Sequence, residues 1–277
     1  MPTTPNLSGT MLKNKKNYQW DANEYAQHSG SQYDWGLELI EKLKLTGHEA
    51  LLDIGCGDGK VTAIIADHLP QGSVVGIDSS MDMIDLARRR HIDYPNSRLE
   101  FKHLDVRELA EINRFDLVFS NATLHWIKHH PPVLLRIKKA LKTGGRLLFQ
   151  MGGRGNAEQV IATLETLIKQ KWAIYFSEFT FPYGFYGPQT YSQWLADAGL
   201  KAVRVELIEK DMRHQGKEGL AGWIRSTWLP YLERVPAPGK ELFIENFVES
   251  YLKHHPLDAD GIAHVQMKRL EVEAVKS

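Results

Sequence analysis

The chain has 277 residues, and its 34 Lys and Arg balance 34 Asp and Glu, so the formal net charge is zero. Hydrophobic residues make up 43% and charged residues 25% of the chain, which is ordinary for a globular protein with a substantial core. This balance disfavours a nucleic-acid binder, and no basic amphipathic segment indicates a membrane surface. The single cysteine, Cys56, excludes an internal disulfide and a cysteine-based zinc site, so we expect a cytoplasmic protein without a metal.

Residues 1–15 are polar and lack the apolar stretch of a signal peptide, so we expect a flexible tail there. Nothing in the sequence approaches the roughly 20 apolar residues of a transmembrane helix. Residues 16–277 are expected to form a single domain in three parts. These parts are an N-terminal cap helix in 16–48, a core in 49–151, and a substrate cap with the final strands in 152–277.

Short apolar runs alternate with helical patterns along the core. The pattern predicts strands at 50–54, 74–78, 99–104, 115–120 and 146–151. It predicts helices between them at 61–68, 81–90 and 132–141. Helical patterns, an aromatic segment and two more strands, near 203–208 and 265–275, follow the core. Strands that alternate with helices at this spacing predict an α/β fold with a doubly wound, parallel sheet.

The turn after the first strand, residues 53–59, contains three glycines. Such a turn lets the backbone approach a ligand, and the helix that follows offers unpaired N–H groups. A dinucleotide-binding loop requires G-x-G-x-x-G, but the slot for its third glycine holds Lys60. Asp53 and Asp58 suit an ammonium group better than a pyrophosphate, and Asp78 ends the second strand, where a carboxylate can accept ribose hydroxyls. The pattern favours an adenosine ligand that ends in an amino acid.

Five segments of the core together resemble the class I S-adenosylmethionine-dependent methyltransferases. They are residues 51–59, 76–83, 103–106, 115–126 and 141–147. The resemblance implies a Rossmann-like methyltransferase fold with a mostly parallel seven-stranded sheet, to which this chain adds an aromatic-rich helical cap. It also implies an enzyme whose cofactor is S-adenosyl-L-methionine.

The same resemblance implies a set of cofactor-binding residues. From the methionine part of the cofactor to its adenine, they are Asp53, Gly55, Gly57, Asn121, Asp78, Ser79, Met83, Asp105 and Val106. Within this set Asp78 would hold the ribose and Asp105 would accept from the adenine amino group. Asn121 would lie beside the sulfonium.

The flanking segments 25–32, 124–127 and 223–230 resemble the trans-aconitate and juvenile hormone acid methyltransferases, which esterify carboxylates. This looser resemblance implies a small-molecule acid as the acceptor. It also implies that three residues of the N-terminal helix close over the cofactor: Tyr25, Ser29 and Gln32.

The acceptor chemistry suggests the catalytic candidates. A carboxylate is ionised at neutral pH and needs no base, but it needs a cation or hydrogen-bond donors, for which Arg154 and Arg225 are candidates. A hydroxyl acceptor would need a base, for which His125 is the candidate. Asn121, which would lie beside the sulfonium, is the fourth catalytic candidate. The paired histidines at 129–130 and 254–255 are most simply surface residues.

Other functions stay open at this point. The acceptor atom can be a hydroxyl oxygen, a nitrogen or a carbon instead of a carboxylate oxygen. The chain can also be a cofactor-binding protein without activity, or a nicotinamide-dependent reductase, because the fold alone does not choose between them. The sequence does not indicate an oligomeric state.

Overall fold

The computed structural model of this protein describes residues 30–94 and 98–277. The predicted tail, part of the predicted N-terminal cap helix, and the predicted site residues Tyr25 and Ser29 lie outside the described residues. The strands are β1 (Ala50–Ile54), β2 (Ser73–Asp78), β3 (Leu99–His103), β4 (Phe115–Asn121), β5 (Leu141–Gly152), β6 (Lys201–Gln215) and β7 (Ile262–Val275). The helices are α1 (Gly30–Leu43), α2 (Lys60–Asp67), α3 (Met81–Arg90), α4 (Pro131–Ala140), α5 (Glu158–Leu167), α6 (Pro188–Asp197), α7 (Gly216–Thr227), α8 (Leu229–Leu232) and α9 (Lys240–His254).

The seven strands form one sheet in the order β3-β2-β1-β4-β5-β7-β6. Strands β1 to β5 run parallel, and β7 pairs antiparallel with both β5 and β6. The doubly wound, mostly parallel sheet of seven strands is therefore confirmed. The strand order reverses between β1 and β4, and at such a point the carboxyl ends of the strands leave a crevice for a ligand.

Strand β1 is buried on both faces because helices cover both sides of the sheet. Leu51 and Leu52 are adjacent in β1 and both are buried, yet their side chains enter cores on opposite faces. Leu51 packs with Leu39 and Leu43 of α1, while Leu52 belongs to the core that α4 and α6 complete. A continuous apolar run is therefore what this central strand requires.

The cap is built on the long antiparallel pair at one edge of the sheet. Strands β6 and β7 have 15 and 14 residues, against 5 in β1, so they extend beyond the parallel part of the sheet. Helices α5, α7 and α9 pack with β7 around a separate core rich in aromatic rings, which Trp35 of α1 joins. This cluster confirms the predicted aromatic-rich helical cap. No helix in the described part of the chain is long and apolar enough to cross a membrane.

Candidate active site

The turn between β1 and α2 contains three glycines in the left-handed backbone region. Their φ angles are 74° at Gly55, 54° at Gly57 and 81° at Gly59, values that other residues rarely adopt. A Cβ on Gly55 would lie 2.1 Å from side-chain atoms of Thr123, and one on Gly59 would lie 2.7 Å from the ring of Phe101. No atom of the described residues would lie within 4 Å of a Cβ on Gly57. Two of the glycines thus serve packing, and Gly57 leaves the backbone open to a ligand.

Asp78 ends β2 beside this turn. Its Oδ2 accepts a hydrogen bond from the Gly57 N–H at 3.0 Å, and its Oδ1 accepts one from the Ser80 N–H at 2.8 Å. Burial raises the pKa of Asp78, and the hydrogen bonds from the backbone oppose that rise. The carboxylate therefore fixes the glycine turn, and it also borders the cavity above the sheet.

This cavity has a volume of about 700 Å³, which is within the usual range of small-molecule sites. Most of the predicted cofactor-binding residues line it, namely Gly55, Gly57, Asp78, Ser79, Met83, Asp105 and Val106. The rest of the wall includes Trp126, which follows β4, and residues of the cap such as Phe179, Pro182 and Pro230. The fold thus brings together residues from several strand ends, as the sequence predicts.

The two acids of the glycine turn do not face the cavity. The carboxylate of Asp53 is 2% exposed and accepts from the Thr62 hydroxyl at 2.6 Å. Burial raises the pKa of Asp53 to about 7. Asp58 forms ion pairs with Arg90 of α3 and with Lys60. The expectation that Asp58 offers its charge to an ammonium group is therefore wrong, because neighbouring cations already balance that charge.

Asn121 and Gln32 join the end of β4 to the start of α1. The Asn121 Nδ2 donates to the Gln32 carbonyl oxygen at 2.8 Å, which fixes the direction of the amide. Asn121 Oδ1 and Gln32 Oε1 are both buried and have no hydrogen-bond partner among residues 30–94 and 98–277. Neither residue is among the described residues that line the cavity. Two buried acceptor oxygens at the end of β4, without a partner in the described part of the chain, could still accept from a ligand that brings its own donors, because unsatisfied buried polar atoms are costly.

Asp105 borders the opposite end of the site, after β3. Its Oδ1 accepts from the Arg107 N–H at 2.8 Å and from the Arg107 Nε at 2.9 Å. An adenine amino group at this position would share the carboxylate with the Arg107 guanidinium. Val106 begins a short 3₁₀ turn at this point and is buried at the cavity wall.

His125 lies in an aromatic chamber beyond the ends of β4 and β5. The centroid of its ring lies 5.8 Å from that of Trp126, 6.1 Å from Tyr183 and 5.9 Å from Phe185. The N–H of Gly152, the last residue of β5, donates to its Nδ1 at 3.4 Å. Loss of water around the ring and the positive charge of Arg269 hold the pKa of His125 well below its usual range. The imidazole is therefore neutral at physiological pH.

Arg269 is not among the residues that the sequence predicts for the site. This residue lies in β7 opposite Gly152, is 3% exposed, and has its guanidinium carbon 5.2 Å from the ring centre of Trp35. Nothing in the sequence singles it out, because Lys268 precedes it and the last strand contains several other charged residues.

The two arginines that the sequence proposes as acceptor contacts have other neighbours. The guanidinium of Arg154 lies against Gly187, at the start of α6, and the residue is exposed. The guanidinium of Arg225 in α7 pairs with Glu241 of α9, with Nη2 and Oε2 at 2.6 Å. Neither residue is among the described residues that line the cavity. Both arginines therefore have other contacts, and the cavity wall also lacks Gln32, Asn121, His125 and Arg269.

His130 is not a surface residue, so the simplest interpretation of its pair with His129 is wrong. It is 2% exposed, its Nε2 lies 2.8 Å from the Ile127 carbonyl oxygen, and its Nδ1 lies 3.1 Å from the Tyr191 hydroxyl. Burial lowers the pKa of His130 to about 4. The ring thus anchors the segment after Trp126 to α6 in its neutral form.

This burial predicts a pH dependence of stability. The pKa of His130 is about 4 in the folded protein and about 6.5 in an unfolded chain. Its contribution is therefore complete above pH 6.5 and is lost as the pH falls toward 4, by about 2 kcal/mol between pH 7 and pH 5. Urea unfolding of the wild type and of His130→Gln at both pH values isolates the contribution of His130 to the free energy of unfolding, since both proteins share all other titratable groups. Equal losses in the two proteins would rule out His130 as the source.

Comparison with known proteins gives a consistent result. A family model described as a methyltransferase domain matches residues 52–147. The chain is 30% identical to the trans-aconitate 2-methyltransferase of Mycolicibacterium gilvum, with 90% of this chain and 95% of that protein covered. It is 27% identical to the enzyme of the same name from Sinorhizobium fredii, with 93% and 99% covered.

Among solved structures, the phosphoethanolamine N-methyltransferase 2 of Haemonchus contortus in complex with S-adenosyl-L-methionine has a TM-score of 0.58 and 21% identity. That match covers 92% of this chain and 56% of the other. The YcgJ protein of Bacillus subtilis has a TM-score of 0.60 and 14% identity, with 88% and 98% covered. These likenesses concern the fold.

The chain belongs to the class I S-adenosylmethionine-dependent methyltransferases. It is an enzyme of that class and its cofactor is S-adenosyl-L-methionine, as the sequence predicts. A nicotinamide-dependent reductase and a cofactor-binding protein without activity are thereby set aside.

The residues present fit this cofactor. Gly57 leaves open backbone at the glycine turn, and the carboxylate of Asp78 at the cavity wall can accept ribose hydroxyls. The unpartnered oxygens of Gln32 and Asn121 suit an ammonium group. When bound, the cofactor supplies a methyl group activated by its sulfonium. The roles given to individual residues stay predictions.

Proposed function

We propose that this enzyme transfers the methyl group of S-adenosylmethionine to a carboxylate oxygen of a small organic acid. The observation that carries the proposal is the buried guanidinium of Arg269 beside the aromatic chamber of His125. A carboxylate needs no base at neutral pH, so the enzyme has only to hold and align it where water is scarce.

Arg269 is suited to that task by its chemistry. A guanidinium presents a planar fork of donors that matches the two oxygens of a carboxylate, and its charge persists at all relevant pH values. In a site of low polarity such a contact is stronger than in water. The chamber beside it supplies apolar surface from Trp126, Tyr183 and Phe185 for the rest of the acceptor.

The relatives support the same class of acceptor. Several are trans-aconitate 2-methyltransferases, and the similarity spans nearly the whole of both chains. Trans-aconitate is a tricarboxylic acid, so those enzymes act on an anionic acceptor. We extend to this chain the class, a small-molecule acid, and not the particular compound.

An acceptor panel tests the proposal. The purified enzyme is incubated with cofactor labelled in its methyl group and with matched acids, alcohols and amines on the same carbon skeletons, including trans-aconitate. We expect label only with the acids, and we expect alkali to release it as methanol because methyl esters hydrolyse readily. Alkali-stable label on the alcohols or amines would overturn the proposal.

Variants at Arg269 test the site. We expect Arg269→Met to lower kcat/KM for the acid about tenfold or more, because one charge-assisted hydrogen bond contributes about 1.5–3 kcal/mol. Arg269→Lys should retain part of the activity, since it keeps the charge and loses the fork. Arg154→Met is the matched control, in which an exposed arginine is removed. Calorimetry with the cofactor should give the same affinity in all variants; equal activity in Arg269→Met and Arg154→Met would remove Arg269 from the acceptor site.

A further inference from the structure

The hydrogen bond between Gly152 and His125 determines where the imidazole can carry its proton. A backbone N–H can only donate, so the Nδ1 that it meets at 3.4 Å must be the acceptor nitrogen of the ring. A neutral imidazole with an unprotonated Nδ1 carries its proton on Nε2. A doubly protonated ring would direct one N–H against another.

The surroundings of His125 keep the ring in this state. Trp126, Tyr183 and Phe185 surround it and limit its rotation. Arg269, opposite Gly152 in the sheet, places a positive charge near the ring and opposes its protonation. The Nε2 atom makes no hydrogen bond with any residue in the described ranges. His125 therefore presents one fixed donor and has no basic nitrogen available for catalysis.

We propose that His125 is a fixed hydrogen-bond donor, which binds the acceptor through its Nε2–H and selects for acceptors that are already ionised. A carboxylate oxygen can accept this hydrogen bond directly. A hydroxyl or ammonium acceptor must first lose a proton, and His125 in this tautomer cannot take it. The role as a base that the sequence analysis considers for His125 is thus replaced by one in substrate selection. The inference rests on the proposed carboxylate acceptor.

Two substitutions separate a donor from a base and from a packing role. His125→Phe keeps an aromatic ring in the chamber and removes the donor, while the side-chain amide of His125→Gln can place an N–H near the position of Nε2. We expect kcat/KM for the acid to fall about tenfold in His125→Phe, mainly through KM, and to recover in part in His125→Gln. His129→Gln, a change at the exposed neighbouring histidine, is the control and should have no effect.

The pH profile gives an independent readout. If His125 donates a hydrogen bond, kcat/KM of the wild type should show no step between pH 6 and pH 9 that disappears in His125→Gln. A step near pH 6–7 that is lost in both variants would show that His125 acts as a base, and it would overturn the inference.

Nitrogen NMR of the free enzyme labelled at histidine tests the tautomer without any acceptor. The signals of His125, assigned by their absence from His125→Phe, should show Nε2 protonated and Nδ1 unprotonated from pH 6 to pH 9. Protonation at Nδ1 would overturn the inference even if the acceptor panel confirms a carboxylate. An alcohol or amine acceptor in that panel would instead contradict the proposed function, whatever tautomer the spectrum shows.

Discussion

Replacement of Asp78 by alanine is expected to weaken the binding of S-adenosylmethionine about 100-fold, with the largest effect of any single change at the cavity wall. The carboxylate is the acceptor for the ribose hydroxyls in our proposal, and the loss of two charge-assisted hydrogen bonds costs about 3 kcal/mol. It also fixes the glycine turn through the Gly57 N–H, so its removal loosens the backbone that borders the ligand. Calorimetry with the cofactor measures the change directly.

Two further variants make this result interpretable. Asp78→Asn keeps the shape and one acceptor oxygen, so we expect an intermediate loss of about tenfold. Asp82→Asn removes an exposed carboxylate of α3 a few residues away and should leave the affinity unchanged. Unaltered affinity in Asp78→Ala, with an unchanged unfolding curve, would contradict the assignment of the ribose to Asp78.

The second large effect is expected at Gly55, where alanine should destabilise the free enzyme by about 3 kcal/mol. A non-glycine residue at a φ of 74° costs about 1–2 kcal/mol, and the new Cβ would lie 2.1 Å from the side chain of Thr123. Overpacking of that kind adds about 1–3 kcal/mol. Urea unfolding without cofactor measures the loss.

Gly57→Ala is the matched control, because Gly57 also has a positive φ but has open space around its Cβ position. We expect it to cost only the backbone strain, about 1–2 kcal/mol, and to weaken cofactor binding because the methyl group projects into the cavity. Equal destabilisation by the two alanines would show that Thr123 does not restrict position 55.

The electrostatics of the site differ from those that the sequence suggests. Asp53 and Asp58 lie in the glycine turn, where the sequence predicts that they face the ligand. In the structure Asp53 is buried behind the turn and Asp58 pairs with Arg90. The arginines differ from the prediction in a similar way. Arg154 is exposed and Arg225 pairs with Glu241, while Arg269, which the sequence did not predict, is buried. In both cases residues distant in sequence determine whether a charged side chain is already paired or buried.

The sequence alone determined the parallel sheet and the glycine turn, and its resemblance to a family of methyltransferases named most of the residues that line the cavity. These features depend on local patterns: an apolar run such as 50–54 predicts a buried strand, and Asp78 follows from its place at the end of the next strand. The parallel arrangement then brings the strand ends to one edge of the sheet, so the residues there meet without further information. Asp105 and Val106 reached the wall for the same reason.

Only the tertiary structure decided how the charged side chains are paired and buried, and which nitrogen of His125 meets the Gly152 N–H. The bond from Gly152, the burial of Arg269 in β7 and the pairing of Asp58 with Arg90 join segments that lie far apart in the chain. A side chain's charge state and direction depend on its neighbours in space and on the water they exclude. A pattern of residues along one chain does not contain those distances, so these contacts became visible only in the fold.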